Sequence, residues 1–351
     1  MPVVYVGMSG GVDSSVSALL LKEQGYDVRG LTLILSGIEG ERKCCSVDEV
    51  RYAGYVCKYL GIPHETLDLR ELFRAKIINY FVREHLKGRT PNACVNCNLH
   101  FKFGYLLEYA LSKGADFIAT GHYAKVEKSG DQVLLKQAKD KSKDQSYFLA
   151  RLNKFQLSKV IFPLADISKD EVKRIAKDAN LPLKPYARES QDLCFIRNGD
   201  IPKFLIENGV EPREGIVVDE RGVTIGKHKG IYFYTIGQRR GLEISLGRRV
   251  YLKHKDSEKN LLVVSESPYF RGFIGSNLNW IWDRPIQKGR FLVKVRYKSE
   301  GGEGYLELLD ENRVRVIFDE KQFAITPGQL AVMYHNTTVV GSAFIDETIE
   351  D

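Results

Sequence analysis

The sequence lacks a long apolar run. Nowhere in its 351 residues does a stretch approach the ~20 consecutive apolar residues that a membrane-spanning helix needs. It also lacks a secretory signal, because the chain enters an apolar, β-branched run at once, without a basic segment and an apolar segment before it. We therefore expect a cytoplasmic protein with no membrane segment.

Cysteine is scarce. The 6 cysteines are too few for a disulfide scaffold, and a cytoplasmic location argues against structural disulfides. They occur as an adjacent pair, a C-x-x-C pair and two isolated residues: Cys44, Cys45, Cys94, Cys97, Cys57 and Cys194. This pattern favours metal binding or thiol chemistry in a cytosolic protein. Cys57, inside a helical pattern, is expected to be a buried core thiol.

Repeats and low-complexity tracts are also missing. A hydrophobic fraction of 43% and a charged fraction of 28% are typical of a globular protein, and 351 residues favour two or three domains. The net charge of +7 is weak evidence for a polyanionic partner. Its distribution is stronger evidence, because basic residues alternate with glycines and tyrosines as on a surface that follows phosphates. They concentrate in residues 136–143 and at Lys227, Lys229, Arg239, Arg240, Arg248, Arg249, Lys253 and Lys255.

A glycine-rich turn follows the first predicted strand. Residues 3–7 are apolar, residues 9–15 read Ser-Gly-Gly-Val-Asp-Ser-Ser, and a helical pattern begins at Val12. Strand, turn and helix N-terminus together form an anion site. The turn has neither the lysine of a Walker A loop nor the spacing of a dinucleotide fingerprint. It resembles the pyrophosphate loop (PP-loop) of ATP pyrophosphatases, which split ATP between the α- and β-phosphates and adenylate an oxygen.

Strand and helix patterns alternate over the first ~120 residues, which predicts a mainly parallel sheet covered by helices on both faces. Ligands of such sheets bind beyond the carboxyl ends of the strands, where the residue 9–15 turn and Gly121 both lie. From about Ile201 the pattern changes to short strands with glycine turns, which predicts a small β-rich module and then a sandwich or barrel. We place the domains at residues 1–200, 201–273 and 274–351.

The C-x-x-C pair is expected in a loop before a helix that begins near Leu99. A cysteine near a helix N-terminus is more available as thiolate. Cys194 lies in a polar segment, which is an unusual setting for a core thiol. One interpretation of the pair is a structural zinc site completed by Cys44 and Cys45. The remaining interpretations place Cys97 and Cys194 at one active site.

Several motifs together identify a family. They are GMSGGVDSS, TPNACVNCN, TGHYAK, KDQSYFL, SQDLCFI, YTIGQRRGL, VRY and PGQ. Over essentially its whole length the chain resembles the bacterial and organellar tRNA-specific 2-thiouridylases. That family makes 2-thiouridine at the wobble position of tRNAs for glutamate, lysine and glutamine, and consumes ATP and persulfide sulfur. The resemblance implies an α/β, adenine-nucleotide α-hydrolase-like PP-loop domain, a central β-rich tRNA-binding domain and a C-terminal β-barrel.

The resemblance also assigns residues. Cys97 matches the family's nucleophile, and Cys194 matches the cysteine that bears the persulfide. The positions matching the ATP site are Gly7, Met8, Ser9, Gly10, Gly11, Val12, Asp13, Ser14, Leu33 and Gly121. The positions matching the stretch that meets the target base are Asn92, Ala93 and Cys94. The positions matching further tRNA contacts are Lys143, Asp144, Gln145, Arg296 and Tyr297.

The chemistry suits these residues. Oxygen O2 of uracil is a poor leaving group, and adenylation converts it into AMP, which leaves easily. Asp13 is a candidate carboxylate for Mg²⁺. The terminal sulfur of a Cys194 persulfide attacks C2 directly, or Cys97 attacks the persulfide and releases sulfide, leaving a Cys97–Cys194 disulfide. The implied sulfur donor is a cysteine desulfurase or a sulfur-relay protein.

Two positions at the C-x-x-C segment depart from the family pattern. Many members have aspartate at Cys94, and most have proline at Ala93. With Cys94, the chain has three cysteines that could hold a [4Fe–4S] cluster with one open iron, together with Cys97 and Cys194. The persulfide mechanism and the cluster mechanism both remain open on the sequence.

Other polar and aromatic residues admit more than one role. His122 either contacts the nucleotide or base or is a hydrogen-bonded histidine beside a turn. Tyr232 and Tyr234 lie near Arg239 and Arg240, which favours an RNA-facing role for these rings.

Two other functional classes fit these residues less well. A ligase-type ATP pyrophosphatase would give Cys97 and Cys194 no role. A non-catalytic RNA-binding protein with a relict nucleotide fold is disfavoured, because the residue 9–14 turn is intact.

Overall fold

The computed structural model describes residues 1–35, 47–130, 132–183, 193–244, 246–282 and 286–350. Cys44, Cys45 and residues 189–192, which the sequence analysis singled out, lie outside these ranges. Among the described residues, no helix combines the length and the apolar character that crossing a membrane would require.

The N-terminal part of the chain is built on a parallel sheet with strand order β3-β2-β1-β4-β7. Its strands are β1 Val3–Gly7, β2 Asp27–Ile34, β3 His64–Asp68, β4 Phe117–Ala119 and β7 Val160–Ile161. Between β4 and β7 the chain forms an antiparallel hairpin of β5 Ala124–Ser129 and β6 Gln132–Gln137. The central strand β1 is buried on both faces, with Val4, Tyr5 and Val6 inaccessible. This burial explains its continuous apolar run and confirms the predicted α/β sheet.

Helices cover this sheet. They are α1 Val12–Glu23, α2 Val47–Leu60, α3 Arg70–Phe73, α4 Asn79–Leu86, α5 Ala93–Cys97, α6 Leu106–Ser112, α7 Ser146–Leu149, α8 Lys154–Ser158 and α9 Lys169–Asp178. The π-helical segment Arg74–Ile78 joins α3 to α4, and a second, Asn98–Tyr105, joins α5 to α6. The spacing of Ser168 and Glu171 predicts a capped helix start, and this is confirmed, since the Ser168 hydroxyl caps α9 by accepting from the Glu171 amide at 3.3 Å.

The central part begins with a short helix, α10 Ile201–Glu207, where only strands were predicted. A sheet of order β10-β11-β8-β9 follows, with β8 Gly215–Val218, β9 Thr224–His228, β10 Tyr251–Asp256 and β11 Leu261–Ser265. The short-strand pattern also predicts a strand within residues 231–241, and this prediction is wrong. Ile231–Phe233 forms a 3₁₀ turn, because its alternating aromatic rings are turned into the core instead of lying along a sheet edge.

The C-terminal part is a closed antiparallel barrel of order β12-β15-β14-β13-β16-β17, in which β17 pairs back onto β12. Its strands are β12 Tyr269–Trp280, β13 Lys288–Lys294, β14 Gly302–Leu308, β15 Arg313–Phe323, β16 Leu330–His335 and β17 Thr338–Ile349. The predicted barrel is confirmed, and closure removes exposed strand edges. Strand β12 begins at Tyr269 and runs through the boundary expected at 273/274.

The barrel is docked on the N-terminal sheet domain. Thr338 of β17 pairs with Lys136 of β6, so the hairpin extends the barrel sheet. The Asn279 amide and the Ser342 hydroxyl both donate to the Ala150 carbonyl at 2.9 Å. These contacts fix the barrel close to the loops at the carboxyl ends of the parallel strands.

Candidate active site

The phosphate turn lies between β1 and α1, as predicted. Gly11 caps α1 without a side-chain hydrogen bond. The Ser9 and Ser14 hydroxyls are 3.1 Å apart, and the Ser15 hydroxyl donates to the Gly11 carbonyl at 2.8 Å. Gly10 has φ +71°, and a Cβ there would stand 2.8 Å from the Glu49 carbonyl oxygen. Glycine at this position therefore lets the turn pack against α2, and the turn stands at the N-terminus of α1, a position that suits a polyphosphate.

Asp13 in this turn is held by two residues that the sequence analysis missed. The Lys169 ammonium lies 2.7 Å and 2.6 Å from its two carboxylate oxygens, and the Tyr123 hydroxyl donates to it at 2.8 Å. Lys169 is only 6% exposed, so a buried cation sits beside the phosphate turn. The signal in the sequence was the capped start of α9, which places Lys169 in the first helical turn.

Gly121 touches the same turn. A Cβ at Gly121 would lie 2.8 Å from the carbonyl carbon of Asp13 and from the Ser14 amide nitrogen, so this close approach of β4 to α1 requires glycine. Met8 and Leu33, also predicted at the nucleotide site, are 3% and 6% exposed. Both side chains are therefore packed beneath the nucleotide site and do not line an open pocket.

His122 is a buried, hydrogen-bonded histidine. Its Nδ1 lies 2.8 Å from the Thr120 hydroxyl, and its Nε2 lies 3.4 Å from the Lys102 ammonium. Burial holds the pKa of His122 well below its usual range, with the nearby Lys102 charge adding to the effect. The neutral imidazole ties the phosphate-turn side of the sheet to the helix that carries the C-x-x-C pair.

The C-x-x-C pair lies inside that helix, so the prediction of a loop preceding a helix near Leu99 is wrong. Helix α5 begins at Ala93, and Asn92 caps it by accepting from the Val95 amide at 3.3 Å. Asn92 is a favoured capping residue and was the signal for this earlier start. Cys94 is half-buried and Cys97 is 9% exposed. Ala93 occupies the first helical position, where proline is also well tolerated.

Cys194 is half-buried and is followed by an aromatic anchor. The Phe195 ring packs edge-to-face on Phe73, with centroids 5.9 Å apart, and Phe73 packs on Phe101 at 5.3 Å. Phe101 is one turn beyond Cys97 in the same helical run. The structure therefore brings the Cys194 segment onto the helices that carry Cys97.

The three cysteines do not fit the cluster hypothesis. Within the described ranges no group of three or more His, Cys, Asp or Glu side chains is placed to hold a metal ion. Cys94, Cys97 and Cys194 are all described, so they do not form a ligand set in this structure, and no chemistry is derived from a cluster. The zinc alternative involved Cys44 and Cys45, which are not described.

Residues 143–145, which are predicted to contact tRNA, stabilise segments next to the phosphate turn. Asp144 is 6% exposed and accepts from the Ala138 amide at 2.9 Å and the Ser146 hydroxyl at 2.8 Å. Burial raises its pKa. Gln145 accepts from the Tyr123 amide at 3.0 Å, which positions the Tyr123 hydroxyl at Asp13. Lys143 is half-buried.

Arg296 and Tyr297 lie on the barrel side of the interface. The Arg296 guanidinium donates to the Ile236 carbonyl at 2.8 Å and to the Thr326 hydroxyl at 2.7 Å, and burial lowers its pKa. The Tyr297 ring packs on Phe148 with centroids 4.4 Å apart. Both residues join the central, N-terminal and barrel parts.

The basic central segment is only partly as predicted. Tyr232 and Tyr234 are 7% and 5% exposed and belong to the core, so the predicted RNA-facing role of these rings is wrong. Arg239 and Arg240 are exposed, as a phosphate-binding surface requires.

A separate open groove of about 500 Å³ lies between the helical run of residues 75–100 and the barrel. Its lining carries both charges, because Arg89 is paired there with Glu84 and Asp346. The other basic and polar residues of the lining include Lys76, Arg83, Asn96 and His100. Asn96 immediately precedes Cys97.

Comparison with known proteins gives matches along the chain. The tRNA methyl transferase HUP domain model matches residues 2–198, the tRNA methyl transferase PRC-barrel domain model matches residues 203–266, and the aminomethyltransferase beta-barrel domain model matches residues 270–345. A solved U34-tRNA thiolase, NcsA from Methanococcus maripaludis with its [4Fe-4S] cluster, aligns with 22% identity and a TM-score of 0.36 over 59% of this chain and 63% of that chain. A likeness that low carries no inference for this chain.

Curated proteins match over the full length. The tRNA-specific 2-thiouridylase MnmA 1 of Syntrophus aciditrophicus is 43% identical over 99% of this chain and 93% of its own length. The tRNA-specific 2-thiouridylase MnmA of Halothermothrix orenii is 44% identical over 99% of both chains. The resemblance of the motifs is thereby confirmed, and the chain belongs to the family of tRNA-specific 2-thiouridylases.

Proposed function

We propose that the protein catalyses the ATP-dependent 2-thiolation of the wobble uridine in tRNAs for glutamate, lysine and glutamine. One juxtaposition supports this most strongly. The helical run that carries Cys97 contacts the phosphate-turn side of the sheet through Lys102 and His122, and it also receives the Cys194 segment through Phe195. An adenylating site and two cysteines are thus assembled around one helix. The cytoplasmic location expected from the sequence is part of this proposal.

The first step is activation. Oxygen O2 of the uracil attacks the α-phosphorus of ATP, the bond to the β-phosphate oxygen breaks, and pyrophosphate leaves. The amides and hydroxyls of residues 9–14 and the buried Lys169 cation would hold the phosphates, since preorganised donors stabilise charge that develops during transfer. Mg²⁺ is the expected companion of ATP, and Asp13 is the residue suited to it. Metal binding there requires Asp13 to exchange one of its contacts with Lys169.

The second step replaces the oxygen. In one route the terminal sulfur of a Cys194 persulfide attacks C2, and AMP leaves with the former O2. The Cys97 thiolate then attacks Sγ of Cys194, which releases 2-thiouridine and forms a Cys97–Cys194 disulfide. In the other route Cys97 attacks the persulfide first, and the released hydrosulfide attacks C2. Both routes end in the same disulfide, which a thiol reductant must reduce by two electrons before the next turnover.

Two partners follow from this chemistry. The sulfur must come from a persulfide donor, either a cysteine desulfurase or a sulfur-relay protein. The tRNA would lie across Lys76 and Arg83 in the groove beside Asn96 and reach the exposed Arg239 and Arg240, because phosphates are bound chiefly by lysine and arginine. The predicted contacts at Asn92, Ala93, Cys94 and Arg296 lie along the joint between the helical domain and the barrel.

The decisive experiment is a gene deletion in the source organism with quantification of 2-thiouridine in total tRNA by mass spectrometry. We expect the nucleoside to disappear and to return with the wild-type gene. Unchanged 2-thiouridine in the deletion strain would refute the proposal. Purified protein with ATP, a persulfide donor and unmodified tRNA should release AMP and pyrophosphate only when the tRNA is present. A ligase would instead require ammonia or an amino acid.

A further inference from the structure

We propose that Gln329 of the barrel is a positioning residue for α5, the catalytic helix that ends at Cys97, so that the barrel controls the placement of Cys97. This inference deepens the proposed thiolation and rests on it for its catalytic readout. Gln329 ends the 327–329 turn, which comes just before β16. The turn lies against residues 89–92, the segment that leads into α5.

Direct hydrogen bonds join the two segments. The Gln329 amide group donates to the Thr90 carbonyl at 2.9 Å, and its oxygen lies 3.5 Å from the Asn92 amide nitrogen. The Thr90 amide donates to the Pro327 carbonyl at 2.9 Å. Arg89 adds a bond to the Ile345 carbonyl at 3.2 Å and an ion pair with Asp346 at 3.0 Å. The loop before the catalytic helix is therefore held mainly by the barrel.

The fit at this joint is tight. Gly328 has φ +92°, and a Cβ there would stand 3.0 Å from both the nitrogen and the oxygen of Thr90. Such a contact is closer than a side-chain carbon normally makes, so only glycine permits the turn to approach the loop. The Pro-Gly-Gln sequence has a physical explanation here: glycine permits the approach, and glutamine makes the bonds.

Asn92 links the 327–329 turn to α5. It caps α5 through Val95, and it lies beside Tyr147, whose hydroxyl donates to the Leu330 carbonyl at 2.6 Å. Helix α5 has only 5 residues before the π-helical segment begins, so its geometry depends on its cap. Cys97 is the last residue of α5, and a small rotation of the helix moves its sulfur.

The same turn is coupled to a predicted tRNA contact. Thr326, next to the turn, accepts from Arg296 at 2.7 Å. The contacts therefore run without a break from Arg296 through Thr326 and the 327–329 turn to Thr90, Asn92 and α5. A tRNA that engages Arg296 would act on the same turn that holds the catalytic loop.

The test is Gln329→Glu, which keeps the size of the side chain and replaces the amide donor to Thr90 with an oxygen. We expect kcat for thiolation at saturating tRNA to fall about tenfold or more, because misplacing a reacting group by about 1 Å costs up to 10²-fold. Variant and wild type are compared at saturating tRNA, because the contacts from Arg296 to this turn let the variant also change the Kd for tRNA. The conservative Gln329→Asn should recover part of the rate. The matched control is Gln322→Glu, on β15 of the same barrel, whose amide bonds the Glu320 carbonyl and not the loop.

A second readout does not require catalysis. In reduced protein without tRNA or ATP, Gln329→Glu should change the alkylation rate of Cys97 by iodoacetamide several-fold, measured by peptide mass spectrometry, while buried Cys57 stays unchanged. Unchanged kcat and unchanged Cys97 alkylation would overturn the inference, as would a raised tRNA Kd at normal kcat. An equal loss of rate in Gln322→Glu would also overturn it. If wild type makes no 2-thiouridine but the alkylation rate still shifts, the proposed function fails and the coupling stands.

Discussion

The buried Lys169 ammonium bridges both carboxylate oxygens of Asp13, at 2.7 Å and 2.6 Å, on the edge of the phosphate turn. The pair joins residues 156 positions apart, at the start of α1 and the start of α9. A carboxylate pointing at a phosphate site would repel the ligand if it stood alone. Lys169 cancels that charge and supplies a cation that can turn to the phosphates.

The first prediction concerns Lys169. Lys169→Met should reduce tRNA-dependent pyrophosphate release about 100-fold, because it removes a preorganised cation from the transferring phosphates. The affinity for tRNA should not change. Lys173→Met, on the exposed side of the same helix, is the matched control and should be as active as wild type. A normal rate of pyrophosphate release in Lys169→Met would contradict the assignment.

The role of Asp13 needs a different experiment, because replacing Asp13 alone leaves the buried Lys169 ammonium without its counter-charge. Asp13→Asn should lower the Tm, because it leaves the buried Lys169 ammonium unpaired, although the Asp13 carboxylate itself is a third exposed. The double variant Asp13→Asn with Lys169→Met should recover most of the Tm and none of the activity. Recovery of activity in the double variant would show that the pair serves only stability.

The cysteines give the second prediction. Cys97→Ser and Cys194→Ser should each abolish thiolation, because serine neither carries a persulfide nor forms a disulfide. Both variants should bind tRNA as wild type does in a filter-binding assay. Cys94→Ser should keep thiolation activity in air, since the described cysteines do not form a metal site. Iron and acid-labile sulfide in anaerobically purified protein, lost together with activity in Cys94→Ser, would instead support a cluster.

Much of this arrangement could be predicted from the sequence, because it depends on local signals. The apolar run of residues 3–7 predicts β1, and the helical pattern from Val12 predicts α1, with the glycine turn between them. The start of α9 follows from Ser168, whose hydroxyl accepts from the Glu171 amide. The barrel follows from evenly spaced short strands. In each case neighbouring residues determine the structure.

The missed features depend on distant contacts. The pairing of Lys169 with Asp13 could not be inferred from either helix alone. The 3₁₀ turn Ile231–Phe233 replaced a predicted strand because Tyr232 packs inward, where its carbonyl accepts from His85 at 3.1 Å. Asp144 looked like a surface carboxylate and is buried. Tertiary packing overrides local preference at these positions.

The third prediction concerns stability and pH at the joint between α4 and the central sheet. Burial lowers the pKa of His85 to about 4, with the Lys255 charge as a second cause, and burial lowers the pKa of Lys255 to about 7. Both are bases with lowered values, so between the folded and unfolded pKa the unfolded state binds more protons. Stability should therefore rise with pH from about 4 to 6.5 through His85, and from about 7 to 10.5 through Lys255.

Two variants distinguish the pH range of His85 from the pH range of Lys255. The Lys255 ammonium is buried without a hydrogen-bond partner in the described structure, so Lys255→Met should raise the free energy of unfolding at pH 7 by a few kcal/mol, on the order of its lowered pKa. It should also flatten the rise of Tm above pH 7. His85→Gln should flatten the rise below pH 6.5 only. Lys259→Met, at an exposed lysine, is the control. Unchanged pH profiles in both variants would contradict the prediction.

The last prediction tests the exposed basic surface of the central domain. Arg239 and Arg240 are exposed, whereas nearby Arg248 is paired with Glu266 at 2.6 Å. If the first two meet tRNA phosphates, each neutralised phosphate should contribute about one unit to the slope of log affinity against log salt. Replacing both with glutamine should therefore weaken tRNA binding and make the slope shallower by about 2. Arg248→Gln should change it less, because that charge is already engaged. A slope that is flat in wild type, or identical in the double variant, would place the tRNA on another surface.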